Sequence, residues 1–221
     1  MIKDFCYNRF MITTTLPEIQ KYQPHPSYLA TIFQSLNKKD IDNVPIPLEY
    51  LLNIGGLDLA VWALRAIPGR ERAFRILACC VANSVLSVFE DIFPEQKALR
   101  LAIVTARRMA EGLATPKEIE VARVEVRYIA SGLQRNTSPG QVDGVAMALN
   151  SAVWCGYHAL EETAYEATEM ALRNAAWVSW FCVPKNCYAD LQAANMAVLK
   201  ARQTHSSEFR RMCRGESPYV S

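Results

Sequence analysis

Residues 70–112 read RERAFRILACCVANSVLSVFEDIFPEQKALRLAIVTARRMAEG. Within them Phe74, Leu77, Val81, Val85, Val88 and Ile92 recur at steps of three or four, which places them on one face of an α-helix. Pro94 ends that helix, because a proline has no amide to continue the ladder. The same step resumes with Leu99, Ile103, Ala106, Ala110 and Leu113, and Gly112 supplies a left-handed cap. The stretch therefore predicts two helices joined by a bend. Glu90, Pro94, Arg100 and Arg107 mark this hinge, with Glu90 and Arg107 expected to pair across it. Glu95 in a first turn and Arg107 and Arg108 in last turns suit the helix dipole, so helix-end rules account for charges that would otherwise suggest an acid–base site.

The pattern extends outward. Thr115, Pro116 and Glu118 form a capping box, and Ile119, Ala122, Val126, Ile129 and Leu133 follow at helical spacing. Residues 136–141 (NTSPGQ) break the chain, and Ser138, Pro139 and Gln141 repeat the capping pattern. Helical periodicity then runs from 142 to about 180, too long for one helix of a compact domain, so a break is expected near 156–165. A last helix covers about 188–205, after Pro184. Upstream, 25–39 reads as a short helix and 45–69 as two helical pieces around Gly55 and Gly56. No alternating strand pattern stands out. The expected class is all-α, a multi-helix bundle or orthogonal array of about seven to eight helices. Residues 24–205 form its single domain, with an N-terminal extension at 1–23 and a flexible basic tail at 206–221.

Composition narrows the functional classes. With 24 basic and 22 acidic residues among 221, the net charge of +2 gives no general attraction for nucleic acid or an anionic membrane surface. No apolar run reaches the length of about 18 residues that a membrane span requires. The first residues lack the apolar core of a signal peptide, and Met11 offers a second start, so a cytoplasmic protein is expected. The seven cysteines are an odd number, scattered through apolar segments, and read as reduced core residues.

Four groups are candidate sites. Cys155, His158, Cys182 and Cys187 combine ligand types that zinc favours, although helical placement makes two core cysteines and a helix histidine the simpler reading. Glu161, Glu162, Glu166 and Glu169 make an acidic helix segment without the Glu-x-x-His motifs of a bundle metal site, which suits a solvated face or a basic partner. Arg65, Arg70 and Arg72, with Arg75, surround the turn at residues 66–70 and can fork carboxylates or phosphates. The three histidines, His25, His158 and His205, adjoin no nucleophile signature, and no cofactor motif is present. Trp62, Trp154, Trp177 and Trp180 fall on apolar faces, where an exposed one would make a binding hot spot.

The order Phe89-Glu90, Pro94, Arg100, Ala102-Ile103, Arg107 and Gly112, followed by the Ala-rich stretch from Ala148 to Gly156, resembles the all-helical immunity-protein-five-like family of bacterial and phage genomes. The resemblance covers about residues 58–180. It departs where the family often carries an Asp-x-Arg-Pro-Arg turn and this chain has residues 95–100 (EQKALR). It departs again at Thr163 and Ala167, near positions where members often carry histidines. The resemblance implies a non-catalytic protein that neutralises a toxin or another partner protein. Two alternatives remain open: a phage-encoded counter-defence protein that binds a host component, and a small metal-dependent enzyme. A homo-oligomer is compatible with the Ala-rich helices.

Overall fold

The computed structural model describes residues 11–135, 144–183 and 188–216. It is 75% helical, with ten α-helices and almost no strand, which is the all-α class the periodicity predicts. The helix count exceeds the seven to eight expected, because short helices and a broken one are added. The chain divides into two compact units, Met1–Arg70 with Ser206–Ser221, and Glu71–His205. A single domain over 24–205 was the sequence expectation.

In the first unit, β1 (Thr13–Thr14) pairs antiparallel with β2 (Ile46–Pro47). Helix α1 (Leu16–Lys21) is capped by the Thr15 hydroxyl, which accepts from the Glu18 amide at 3.4 Å. Helix α2 (Pro26–Leu36) is capped by His25, whose Nδ1 accepts from the Ser27 amide at 3.3 Å. Helix α3 (Leu48–Ala63) bends at Gly56, where φ is 71° and ψ −172°, so the glycine pair does divide two helical pieces. A 3-10 turn, Leu64–Ala66, follows, and the Thr14 hydroxyl donates to the Ala66 carbonyl at 3.0 Å.

Both chain ends therefore do more than the sequence reading gave them. Ile12, Leu16 and Ile19, assigned to an extension, are buried. Leu16 and Ile19 lie three apart on one face of α1, while Ile12 precedes β1 and its carbonyl accepts from the Leu48 amide at 2.9 Å. Helix α10 (Tyr188–Cys213) runs through the residues assigned to a tail and buries Phe209, Met212 and Cys213. Arg214 donates to Glu49 through Nη2 at 2.7 Å, and Arg210 donates to Asn53 Oδ1 at 3.1 Å.

The second unit contains α4 (Glu71–Ser84), α5 (Leu86–Glu90), α6 (Ala98–Ala110), α7 (Pro116–Arg135), α8 (Gly144–His158), α9 (Ala164–Phe181) and α10 as far as His205. The helix expected to run unbroken to Ile92 is interrupted at Val85, where φ is −110° and ψ 0°. There the Ser84 hydroxyl bonds back to the Val81 carbonyl at 2.7 Å and the Val85 amide takes Ala82 at 3.3 Å, an i−3 bond. Such back-bonding competes with the α-ladder. Ile92, expected on the buried face, is consequently exposed. So is Leu113, because the left-handed Gly112 (φ 69°) turns the chain before it.

The bend between α6 and α7 follows the predicted chemistry. Thr115 accepts from the Glu118 amide at 3.2 Å while Glu118 accepts from the Thr115 amide at 2.7 Å. The predicted break after residue 156 falls between His158 and Ala164. Helices α8 and α9 meet through small residues: Ala148, Ala152, Cys155, Ala164, Ala167, Ala171 and Ala175 are all buried. Gly156 lies against α6, where a Cβ would stand 2.2 Å from Leu99 Cδ1. The second capping pattern, at Ser138, Pro139 and Gln141, lies outside the described residues.

Candidate functional site

Helix α4 carries a buried cation. Arg75 is 5% exposed and donates to three carbonyls of the loop after α8: Ala159 at 3.1 Å, Glu161 at 2.7 Å and Glu162 at 2.9 Å. Arg123 on α7 adds a fourth bond, to Leu160 at 2.5 Å. Carbonyls at a helix C-terminus lack intrahelical donors, and a guanidinium supplies several from one side chain. Burial draws the Arg75 pKa down from its usual value.

Beside this loop, Trp154, Tyr157 and His158 pack ring to ring at centroid distances of 5.2–5.7 Å. Arg127 lies 5.2 Å over Tyr157 and donates to its hydroxyl at 2.5 Å. His158 Nδ1 lies 2.7 Å from Glu161 Oε1.

The acidic segment is distributed among local partners rather than gathered into one site. Glu161 holds His158. Glu166 accepts from the Thr163 hydroxyl at 2.8 Å, as part of a cap on α9. Glu169 accepts from Arg173 at 3.3 Å and from Tyr165. Glu162 alone of the four has no carboxylate partner among the described residues. Arg65, whose guanidinium sits 5.8 Å over Trp62, and Arg70 belong to the first unit, and Arg72 to the second. Arg72 forks Glu111 at 2.7 and 3.0 Å, which lowers the Glu111 pKa.

At the hinge the partner differs from the one expected. Both carboxylate oxygens of Glu90 are taken by Arg100, one at 2.7 Å, rather than by Arg107. The hydrogen bonds from Arg100 hold the Glu90 carboxyl below its usual range. Arg100 opens the second helix and so faces the end of the first, whereas Arg107 lies two turns further along, where it attracts Glu111. Pro94 sits in the connecting turn between α5 and α6.

Cys155 is buried and its Sγ donates to the Ala171 carbonyl at 3.2 Å, with burial pushing its thiol pKa up. Cys182 is exposed, and Cys187 lies outside the described residues. Among the described residues no group of three His, Cys, Asp or Glu side chains is placed to hold a metal ion. His205 is buried, with Nε2 3.4 Å from Ser84 Oγ. The Ser84 proton is directed to Val81, so His205 is the donor of that contact. A base that activates a hydroxyl needs the opposite polarity.

One surface feature escaped the sequence reading. The outer seam of the α6–α7 hairpin exposes Leu101 (53%), Val104, Val121, Val124 and Tyr128 (75%). An open groove of about 550 Å³ lies along it, lined by Leu101, Val124, Tyr128, Ile129, Glu95 and Glu125, together with Gln96, Lys97 and Ala98. The signal was a second apolar spacing, offset from the core face, at 101 and 104 and at 121, 124 and 128. The capping box and the Arg108–Glu118 ion pair at 2.6 Å fix how the two helices align.

The fold and these side chains define an all-α protein with structural arginine clamps and an exposed apolar groove among the described residues. No family model, no curated protein and no solved structure matches the chain. Among the described residues no helix is long and apolar enough to cross a membrane.

Proposed function

We propose that this chain is a non-catalytic protein-binding protein of the immunity or inhibitor type, and that it engages its partner through the α6–α7 seam. The observation that carries the reading is the exposure of five apolar side chains on one hairpin, three of which (Leu101, Val124 and Tyr128) line one groove. Apolar groups so arranged lose contact with water when a partner covers them, which favours association. An exposed tyrosine such as Tyr128 is a common anchor on such a surface. The resemblance of residues 58–180 to immunity proteins points the same way. The acidic residues from Glu161 to Glu169 carry less of this reading, because three of the four are engaged locally.

The test places a photo-crosslinking amino acid at Val104, and at Met196 on α10 as a control. The expected result is one protein adduct specific to position 104. Once purified, that protein should bind the wild-type chain and lose at least about tenfold in affinity for Leu101→Asp, about 1.4 kcal/mol. Identical adducts from both positions, or a partner indifferent to Leu101→Asp, would remove the seam as the binding surface.

A further inference from the structure

We propose that the segment bound by the α6–α7 groove is an amphipathic α-helix with basic residues beside its apolar face. This rests on the protein-binding reading above and names the chemistry of the partner. Two helices packed side by side leave a linear furrow, and here it is lined by Leu101 of α6 and by Val124, Tyr128 and Ile129 of α7, with Val104 and Val121 exposed one turn further along the same helices. Helix α6, at 13 residues, is about 20 Å long, enough to receive about three turns of a third helix. A helix laid in such a furrow presents residues at i, i+3 or i+4, and i+7.

Charge distinguishes the flanks of the groove. Glu95 and Glu125 line the groove, Glu120 precedes Val121 on α7, and all three are exposed. None has an ion-pair partner among the described residues. The cations nearby are mostly engaged. Arg100 is held by Glu90 and Arg108 by Glu118, and the Lys97 ammonium donates to the Pro94 carbonyl. The rim thus carries free carboxylates where its guanidinium groups are already neutralised. Opposite charge on a partner is attracted to such a rim, and like charge is repelled. The apolar walls and the acidic flanks together specify a helix with Leu-type residues on one face and Lys or Arg beside them.

Two synthetic peptides of about 18 residues test this, one a Leu/Lys amphipathic helix and the other its Leu/Glu counterpart. Each carries a fluorescent label for anisotropy titration. The Leu/Lys peptide is expected to bind the wild-type protein at least about tenfold more tightly than the Leu/Glu peptide. Leu101→Asp and, independently, Val124→Asp should each abolish binding while circular dichroism stays unchanged. Joint Glu95→Lys and Glu125→Lys should transfer the preference to the Leu/Glu peptide. Equal binding of the two peptides, or a preference that survives the joint charge reversal, overturns the inference. So does sedimentation showing a homodimer that Leu101→Asp dissociates, since the occupant would then be a second copy. Loss of the crosslinked partner by Leu101→Asp without any peptide preference would remove this inference alone. A partner indifferent to Leu101→Asp would remove the protein-binding reading itself.

Discussion

The α8–α9 pair and the α6–α7 pair are both helical hairpins of the second unit, and they differ in how their connecting segments are held and in the apolar stripe they expose. Along α8 and α9 the contact residues are mostly alanines, all buried, so the backbones approach closely and little side-chain volume is left over. Close packing raises the demand on polar groups, and the connecting loop has four carbonyls satisfied by Arg75 and Arg123. Along α6 and α7 the alanines again face inward, with Ala102, Ala106, Ala122 and Ala130 buried, but Leu and Val residues also stand outward. The α8–α9 contact is closed by small buried residues, while α6 and α7 carry a second apolar stripe that is exposed among the described residues. Removing polar or steric elements from the closed hairpin should unfold the unit, whereas changing the outer face of the open one should alter only what it binds.

The largest effect is expected at Arg75. Arg75→Met fills similar volume but leaves three loop carbonyls without a donor, and loss of such a buried group costs about 3–5 kcal/mol. Urea denaturation followed by circular dichroism measures this. A loss below about 1 kcal/mol would mean the loop is satisfied by water and the hairpin is less closed than the contrast requires.

Next comes the pH response of the buried His205. Desolvation, aided by Arg202, draws its pKa from 6.5 down to about 4. The folded state therefore binds fewer protons than the unfolded state between those values. The stabilisation is complete above pH 6.5 and is lost as the pH falls toward 4, at up to about 1.4 kcal/mol per unit and on the order of 2–3 kcal/mol in all. Replacing His205 with Gln should flatten the stability profile in that window. An unchanged slope would place the titration elsewhere.

Gly156→Ala should be milder. The added Cβ meets Leu99 Cδ1 at 2.2 Å, which is the tip of a side chain and can shift in part, so about 1–3 kcal/mol is expected. A double-mutant cycle with Leu99→Ala should recover part of the loss, since the shortened side chain makes room. Additive losses would indicate that the strain lies in another neighbour of α8.

How much of this contrast was legible in the sequence depends on the kind of signal. The helical class, the kink at Gly56, the capping box at Thr115 and the end of α6 at Gly112 follow from local rules, in which a few adjacent residues determine the geometry. Val85 was missed because the step of apolar residues continues through it, while the interruption comes from one serine hydroxyl that bonds backward. Arg75 groups in the sequence with the arginines around the turn at 66–70 because its partners lie 84–87 residues away, and no local pattern marks a guanidinium for burial. The pairing of Glu90 with Arg100 turned on which helix end faces the bend, a matter of one or two turns. The seam was overlooked because a single apolar stripe was sought on each helix. In α6 and α7 two stripes share one sequence, and only packing shows which is covered.

The smallest expected effect on stability is the most informative about that second stripe. Leu101→Asp replaces a side chain that is 53% exposed and removes no buried contact of consequence. Surface changes of this kind usually fall within about 0.5 kcal/mol. The same substitution at Ala152, 1% exposed on α8, buries an unpaired carboxylate and should abolish folding. Melting curves of the two variants compare the hairpins directly. A Leu101→Asp protein that melts like the wild type yet no longer binds its partner would assign the outer stripe of α6 to recognition. A Leu101→Asp protein destabilised by several kcal/mol would show that the stripe is already covered within the chain, and the seam would then belong to the core.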